Sequence, residues 1–423
     1  MSSFLSARLW LLCVLLAAAF FPNTRAVEKI IRHPIVTDYG VSSPAFQESI
    51  SHHLHAPLVN GNKVKELING IEFFPAMLDA IRRASNSITF ENFIWRSGKI
   101  SDQFIDALSE RARAGVKVHC IVDGIGAYGF KRKDRKRLRA SGVELEIFNP
   151  VRPWNCWEWN HRTHRKTLVI DGKIGFIGGL CIADEWMGDA ETPEQWRETE
   201  FMVEGPVVSQ LQGIFLDNWM RCTSRVLHGT DYFPDIPPTA GNTTAQAFKS
   251  GPVDGAENAR LLYLYSIASA RKSIRLSHSY FVPDNLSIDT LVAAAKRGVK
   301  IEVITPGKID WNIVRRAARS RWDKLLDAGI QFYEFQPSKY HCKIMIVDDV
   351  WVTGGSINFD DRSFRINGEG NINIHDPEFA KRQIEIFEKD KSQSIRIDPK
   401  AFKKRPLRIK FVEHFWGMFR GLL

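Results

Sequence analysis

Residues 164–179 read HRKTLVIDGKIGFIGG, and residues 341–356 read HCKIMIVDDVWVTGGS. Both spell H-x-K-x4-D-x6-G, 177 positions apart. The runs Thr167 to Ile170 and Ile344 to Val347 are β-branched or apolar and predict buried strands. Residues two apart on a strand face the same way, so His164 and Lys166 project together, as do His341 and Lys343. Asp171-Gly172 and Asp348-Asp349 fall at tight turns before the returning strands Ile174 to Ile177 and Val350 to Thr353. The two aspartates are therefore expected to organise turns rather than to touch a ligand. Gly178, Gly179 and Gly355 follow the return strand, where a missing side chain lets backbone approach a ligand closely. Two such strings in one chain point to one phosphodiester site built from two half-sites.

Repetition extends outward from the two strings. Arg113-Ala-Gly115-Val-Lys117-Val118 aligns with Lys296-Arg-Gly298-Val-Lys300-Ile301. Ser141-Gly142-Val143 through Phe148-Asn-Pro150 aligns with Ala328-Gly329-Ile330 through Phe335-Gln-Pro337. Each half alternates helix and strand before its motif hairpin, which predicts an α/β fold: two similar domains, each a sheet flanked by helices. The halves are expected to pack about a pseudo-twofold axis with one shared active site. The expected order is a lead-in at 27–58, a first domain at 59–230, a linker or surface loop at 231–256 and a second domain at 257–400. The linker is read from proline, glycine and threonine in DYFPDIPPTAGNTTAQAFKSGPVDGA.

The chain has 423 residues and 44% hydrophobic content, enough for two sizeable cores. Its formal charge of +10 is local. Lys131 to Arg139 sets seven basic residues against Asp134, and Lys403 to Lys410 holds five basic residues and no acid. Either run is a solvated helix face or an attraction to an anionic surface, lipid or nucleic acid. Phe411, Val412, Phe415, Trp416, Phe419, Leu422 and Leu423 recur at helical spacing, predicting an amphipathic helix over 401–423. It either packs on the enzyme's own core or lies on a membrane. Trp154, Trp157 and Trp159 precede His161 and suit either a core or a water–lipid boundary.

At the N-terminus, Arg8 precedes thirteen apolar residues, Leu9 to Phe21, then Thr24-Arg25-Ala26. Residues 1–26 read as a signal peptide or short anchor, and no later run is long enough to span a bilayer. The protein is expected at a membrane, facing the periplasm or exterior. Cys120, Cys156, Cys181, Cys222 and Cys342 make no C-x2-C pair, so no zinc site is expected.

The blocks Asn160–Leu180, Trp196–Thr199 (WRET), Tyr280–Asp284 (YFVPD) and Gly355–Glu369 (GSINFDDRSFRINGE) resemble the phospholipase D superfamily. Within it they are most similar to bacterial cardiolipin synthases, from about Val59 to the C-terminus. The resemblance places His164, Lys166, Asp171, His341, Lys343 and Asp348 in the catalytic motifs. It implies a phosphohistidine intermediate, with His164 as nucleophile. It also implies a histidine-orienting carboxylate downstream of each motif. Glu198, 34 residues after His164, and Glu369, 28 after His341, stand at those places. The sequence departs from the family at Cys181, which replaces the asparagine that Asn358 supplies in the second motif. A thiol is a weak donor beside an amide.

The chemistry follows from the residue types. Cleaving a phosphodiester needs a nucleophile, charge neutralisation and a proton donor. One neutral imidazole can attack phosphorus while one imidazolium protonates the leaving alkoxide. Lys166 and Lys343 can hold the non-bridging oxygens, with Gly179, Ser356 and Asn358 binding alongside, so neither metal nor cofactor is expected. The reading is a phosphatidyltransferase that passes a phosphatidyl group to an alcohol such as phosphatidylglycerol. The alternatives are a phospholipase D using water, and a nuclease drawing on the basic patches.

Overall fold

A computed structural model describes residues 31–423 except 153, 155–157, 253–254, 308–311, 420 and 422–423. The segment read as a signal or anchor, Trp157, Leu422 and Leu423 therefore lie outside the described residues.

The first half holds β1 (Val59–Ile68), β2 (Ser87–Asn92), β3 (Lys117–Asp123), β4 (Glu144–Phe148), β5 (Thr167–Ile170), β6 (Ile174–Gly178), β7 (Trp196–Arg197) and β8 (Thr199–Glu204). The second holds β9 (Thr243–Ser250), β10 (Ser273–His278), β11 (Phe281–Val282), β12 (Lys300–Pro306), β13 (Gln331–Phe335), β14 (Lys339–Tyr340), β15 (Lys343–Val347), β16 (Trp351–Gly355), β17 (Phe359–Asp360), β18 (Glu369–His375) and β19 (Ser394–Arg396). The motif hairpins are β5–β6 and β15–β16, as the apolar runs predict, and every residue of β5 and β15 is buried. Burial on both faces explains why these strands read as continuous apolar runs rather than alternating ones.

The α/β architecture and its duplication are as expected, with one difference. The two half-sheets are one 15-stranded sheet, ordered β19-β13-β12-β10-β15-β16-β18-β9-β1-β8-β6-β5-β2-β3-β4. Apart from the added edge strand β19 the order is a palindrome about the β1–β9 pair, which marks the pseudo-twofold relation. In each half three strands run parallel, β2–β3–β4 and β10–β12–β13, which requires helical crossovers. The shared G-V-K text sits where a crossover helix ends. Gly115 and Gly298 have φ of +91° and +93°, the left-handed turn that lets Val116 and Val299 bury at the start of the next strand.

The stretch 231–256 corrects the linker expectation, because it contains β9, the counterpart of β1. Alanine, glutamine and phenylalanine alternate there, and Ala245, Ala247 and Phe248 are buried between β1 and β18. The prolines and glycines on either side masked a strand whose core residues are two alanines and one phenylalanine. The second half therefore starts near Thr243. The lead-in also joins this half: Phe46, on the helix Pro44–His53, stacks on Tyr265 at 5.0 Å and meets Trp351 edge-on at 5.1 Å. A shared core layer runs under the β1–β9 seam, joining Val64, Ile177 and Phe201 to Ile344, Ile372 and Phe379.

The C-terminal segment is not one helix. Pro406 separates Pro399–Lys403 from Leu407–Gly417. The basic run Lys131–Arg139 lies on the helix Arg132–Ala140, where Arg137 pairs with Asp102 and Asp106 while Lys131, Arg132 and Lys133 stay exposed. No described helix is long and apolar enough to cross a membrane.

Candidate active site

Two short parallel pairings cross between the halves and build the site. In one, β7 runs beside β14, and the His341 amide donates to the Arg197 carbonyl at 2.8 Å. In the other, Thr163 bridges Gly368, and the His164 amide donates to the Gly368 carbonyl at 2.7 Å. Each pairing delivers the next residue, a glutamate, to the histidine of the opposite half. His341 Nδ1 lies 2.6 Å from Glu198 Oε2, and His164 Nδ1 lies 2.9 Å from Glu369 Oε2. Both expected carboxylates are thus present, but exchanged between the halves relative to chain order.

The lysines are placed alike. Lys166 Nζ donates to the His164 carbonyl and Lys343 Nζ to the His341 carbonyl, each at 2.5 Å, so each ammonium is anchored beside its own imidazole. The histidines, lysines and glutamates are all buried. Burial first, helped by the charge of Lys166, pushes the His164 imidazole down to about 4 despite Glu369. His341 is held well below its ordinary value by burial and by Lys343 and Lys166. Burial also brings Lys166 down to about 8. Without substrate both imidazoles are therefore neutral near pH 7.

The two glutamates differ. Burial pushes Glu198 up to about 7, and its backbone support is the Thr199 amide at 2.9 Å. Burial acts on Glu369 too, but His164, Lys166 and the Ser356 hydroxyl hold it below the usual carboxylate range, and the Ser363 hydroxyl donates to it at 2.8 Å. Glu369 is ionised at neutral pH, while Glu198 shares a proton with His341. The motif glycines admit these acids: a methyl group on Gly179 would strike the Glu198 carboxylate, and one on Gly178 would strike buried Glu200.

Four expected site residues do other work. Asp171 accepts from the Ser85, Asn86 and Ser87 amides at 2.7–2.9 Å, and Asp348 accepts from the Arg271, Lys272 and Ser273 amides at 2.7–3.0 Å. Each lies five residues beyond its lysine, about 16 Å along an extended strand. This corrects their placement among the catalytic residues: they pin the loop entering the neighbouring strand, as turn geometry predicts. Ser356 is committed to Glu369, and Asn358 Oδ1 accepts from the Ser279 hydroxyl at 2.9 Å, so both brace the site rather than offer those atoms to substrate.

The sequence reading missed the aromatic walls. Trp196 and Trp186 stack on each other at 4.4 Å and meet the His341 ring edge-on at 4.8 and 5.4 Å. Phe93 meets the His164 ring at 4.9 Å and lies 5.2 Å from Lys166 Nζ. Trp196 could have been found, two residues before Glu198 in the WRET block; nothing local marks Phe93 or Trp186.

Fold and site together define a phospholipase D-type protein, two half-sites fused in one chain. The model for "Cardiolipin synthase, PLD-like domain" matches residues 77–219 and 263–391, and the chain belongs to that family. It is 35% identical over 370 residues to cardiolipin synthase of Geobacillus sp. (strain WCH70), covering 87% of this chain and 74% of that one. It is 34% identical to cardiolipin synthase 2 of Bacillus anthracis over 363 residues, 85% of this chain and 71% of the relative. The crystal structure of phosphatidylserine synthase from Haemophilus influenzae Rd KW20 shares the fold, with a TM-score of 0.69 at 13% identity over 89% of this chain and 99% of that one.

Proposed function

We propose that this chain is a phosphatidyltransferase of the cardiolipin synthase type, working on phospholipid at a membrane surface. The observation that carries the reading is the reciprocal pair, His164–Glu369 and His341–Glu198, closed around two anchored lysines. Ionised Glu369 accepts the Nδ1 proton of His164 and leaves the Nε2 lone pair free. That lone pair attacks the phosphorus of a donor phosphatidylglycerol. The P–O bond to the departing glycerol breaks, and Lys166 and Lys343 hold the non-bridging oxygens throughout.

The arriving phosphate charge opposes the lysines that keep His341 neutral, so His341 takes the Glu198 proton on Nδ1 and, as imidazolium, gives its Nε2 proton to the leaving alkoxide. The product is a phosphatidyl group on His164 Nε2. In the second half-reaction the hydroxyl of another phosphatidylglycerol attacks phosphorus, His341 accepts its proton, and the P–N bond breaks to restore His164. Water in place of that alcohol gives phosphatidic acid, so exclusion of water decides between transferase and hydrolase. The paired tryptophans make the His341 side apolar, which favours a lipid acceptor.

The test is turnover of phosphatidylglycerol vesicles by purified protein with excess chelator. Cardiolipin and free glycerol in equal amounts are expected, because the lysines supply the positive charge. Phosphatidic acid as the sole product replaces the transferase reading with the hydrolase one. Cleavage of DNA without lipid turnover removes both.

A further inference from the structure

The helix Leu407–Gly417 packs on the protein through Val412, Glu413, Trp416 and Gly417 and leaves its other apolar residues outside. Glu413 and Gly417 are buried, while Leu407, Phe411 and Met418 are 83%, 74% and 69% exposed and Phe415 is 41% exposed. A helix covering a core ordinarily turns its apolar stripe inward. Here only Val412 and Trp416 of that stripe turn inward, beside Glu413, which makes ion pairs to Arg319 at 3.2 Å and Arg405 at 3.0 Å. Leu407, Phe411 and Phe415, spaced four apart, form a ridge facing outward.

Beside that ridge runs a groove of about 890 Å³, between this helix and the helix Asn312–Arg319. Arg315, Arg316, Arg319, Arg405 and Arg408 line it. Glu334 engages Arg315 and Arg319, and Glu413 and Asp323 engage Arg405. The side chains of Arg316 and Arg408 are exposed and have no hydrogen-bond or ion-pair partner among the described residues. None of the groove's residues contacts His164, His341, Lys166 or Lys343 through a hydrogen bond or ion pair.

Two uncommitted guanidiniums next to an apolar ridge match one surface chemistry. Guanidinium forks fit phosphate oxygens, and the ridge gains only if hydrocarbon covers it. A nucleic acid would use the arginines and leave Leu407 and Met418 wet; a neutral protein surface would cover the ridge and strand the charges. We propose that this groove is a noncatalytic docking site for anionic phospholipid, with Arg316 and Arg408 on the headgroup phosphate and Leu407, Phe411 and Phe415 in the acyl layer. The inference deepens the reading of the chain as a lipid enzyme by naming where it holds the membrane.

The test reads docking at this site rather than turnover. Hydrogen–deuterium exchange of residues 405–419 is followed in the full chain as vesicles are added. Equal parts of phosphatidylglycerol and phosphatidylcholine are expected to protect the segment, and phosphatidylcholine alone to leave it unprotected. Arg316→Gln with Arg408→Gln should raise the lipid concentration for half-protection about 30-fold, from about fivefold per arginine at an anionic surface. Both side chains are exposed, so an unchanged melting midpoint is expected to accompany the shift. Phe411→Ser with Phe415→Ser should weaken protection without altering its salt dependence. Protection unchanged in the arginine variant, equal protection by neutral vesicles, or protection by a DNA duplex but not by vesicles overturns the proposal. Docking without lipid turnover leaves it standing and removes the enzymatic reading instead.

Discussion

The two half-sites share a scaffold and differ in electrostatics. Around His164 the orienting acid is Glu369, held ionised against burial by His164, Lys166 and the Ser356 hydroxyl, with Ser363 donating to it and Phe93 as the ring neighbour. Around His341 the acid is Glu198, which burial lifts to about 7, and the neighbours are Trp186 and Trp196. Identical half-sites would make two identical imidazoles, but a displacement at phosphorus needs one nucleophile and one proton donor. In the proposed mechanism the duplicated fold presents two histidines to one phosphorus, and the unequal hydrogen bonding of their carboxylates would separate their tasks. Under the proposed mechanism this asymmetry fits His164 to attack and His341 to proton transfer.

The largest effect that can break this comparison is on the histidines themselves. His164→Ala and His341→Ala should each lower turnover by about 10⁴-fold. They should differ in what accumulates. With His341 removed, a diester whose leaving group needs no proton can still load His164, and mass spectrometry of quenched samples should find that adduct. With His164 removed no adduct should form. An adduct on His341 alone would reverse the roles.

Next come the carboxylates, where pH separates them. Glu369→Gln should cost about 10³-fold and Glu198→Gln about 10²-fold, within the usual span for groups serving acid–base catalysis. Below about pH 7 the Glu198–His341 pair carries the transferable proton, and above it the pair has lost it, so turnover should fall on the alkaline side. Glu198→Gln should displace that limb; Glu369→Gln should lower the whole profile without displacing it. The same shift bears on stability. A carboxyl raised from 4.5 to about 7 by folding holds a proton the unfolded chain has released, so its contribution is lost as pH rises through about 7. Glu198→Gln should flatten that decline in a urea titration.

The motif aspartates give a third and different contrast. Asp171→Ala or Asp348→Ala removes three amide contacts and should destabilise by about 2–4 kcal/mol. Turnover per folded molecule should stay within about two-fold, since neither carboxylate reaches the site. A large rate loss at full stability would return them to the reaction centre.

What the sequence showed, and what it hid, divides by range. The motif hairpins were legible because β5 and β15 are short, apolar after their first residue and closed by Asp-Gly or Asp-Asp turns. The His–Lys pairs were legible because both members lie within three residues. The exchange of Glu198 and Glu369 was not, since the partners sit 143 and 205 positions apart and chain order suggests the opposite pairing. β9 was hidden for another reason: alanine and lysine carry little strand signal, and its place is fixed by β1 and β18 on either side. The tail helix followed its periodicity, but periodicity cannot say which side faces the protein; Glu413 decided that through Arg319 and Arg405.

The smallest effect tests the family's missing asparagine. By the register of the two halves Phe93 corresponds to Ser279 and Cys181 to Asn358. In the second half Ser279 donates to Asn358; in the first, the equivalent positions hold an aromatic ring and a buried thiol. The two positions are therefore expected to be coupled: where the second half has a hydrogen bond, the first has two apolar side chains. Cys181→Asn alone buries an amide opposite a ring and should cost about 1–3 kcal/mol. Phe93→Ser alone should cost a similar amount through lost packing. Together they rebuild the Ser–Asn bond of the second half and should recover about 1 kcal/mol relative to the sum. Urea unfolding of all four proteins measures that coupling. Additivity within about 0.3 kcal/mol would mean the two positions changed independently, and that the first half-site tolerates Cys181 simply because a small buried side chain fits there.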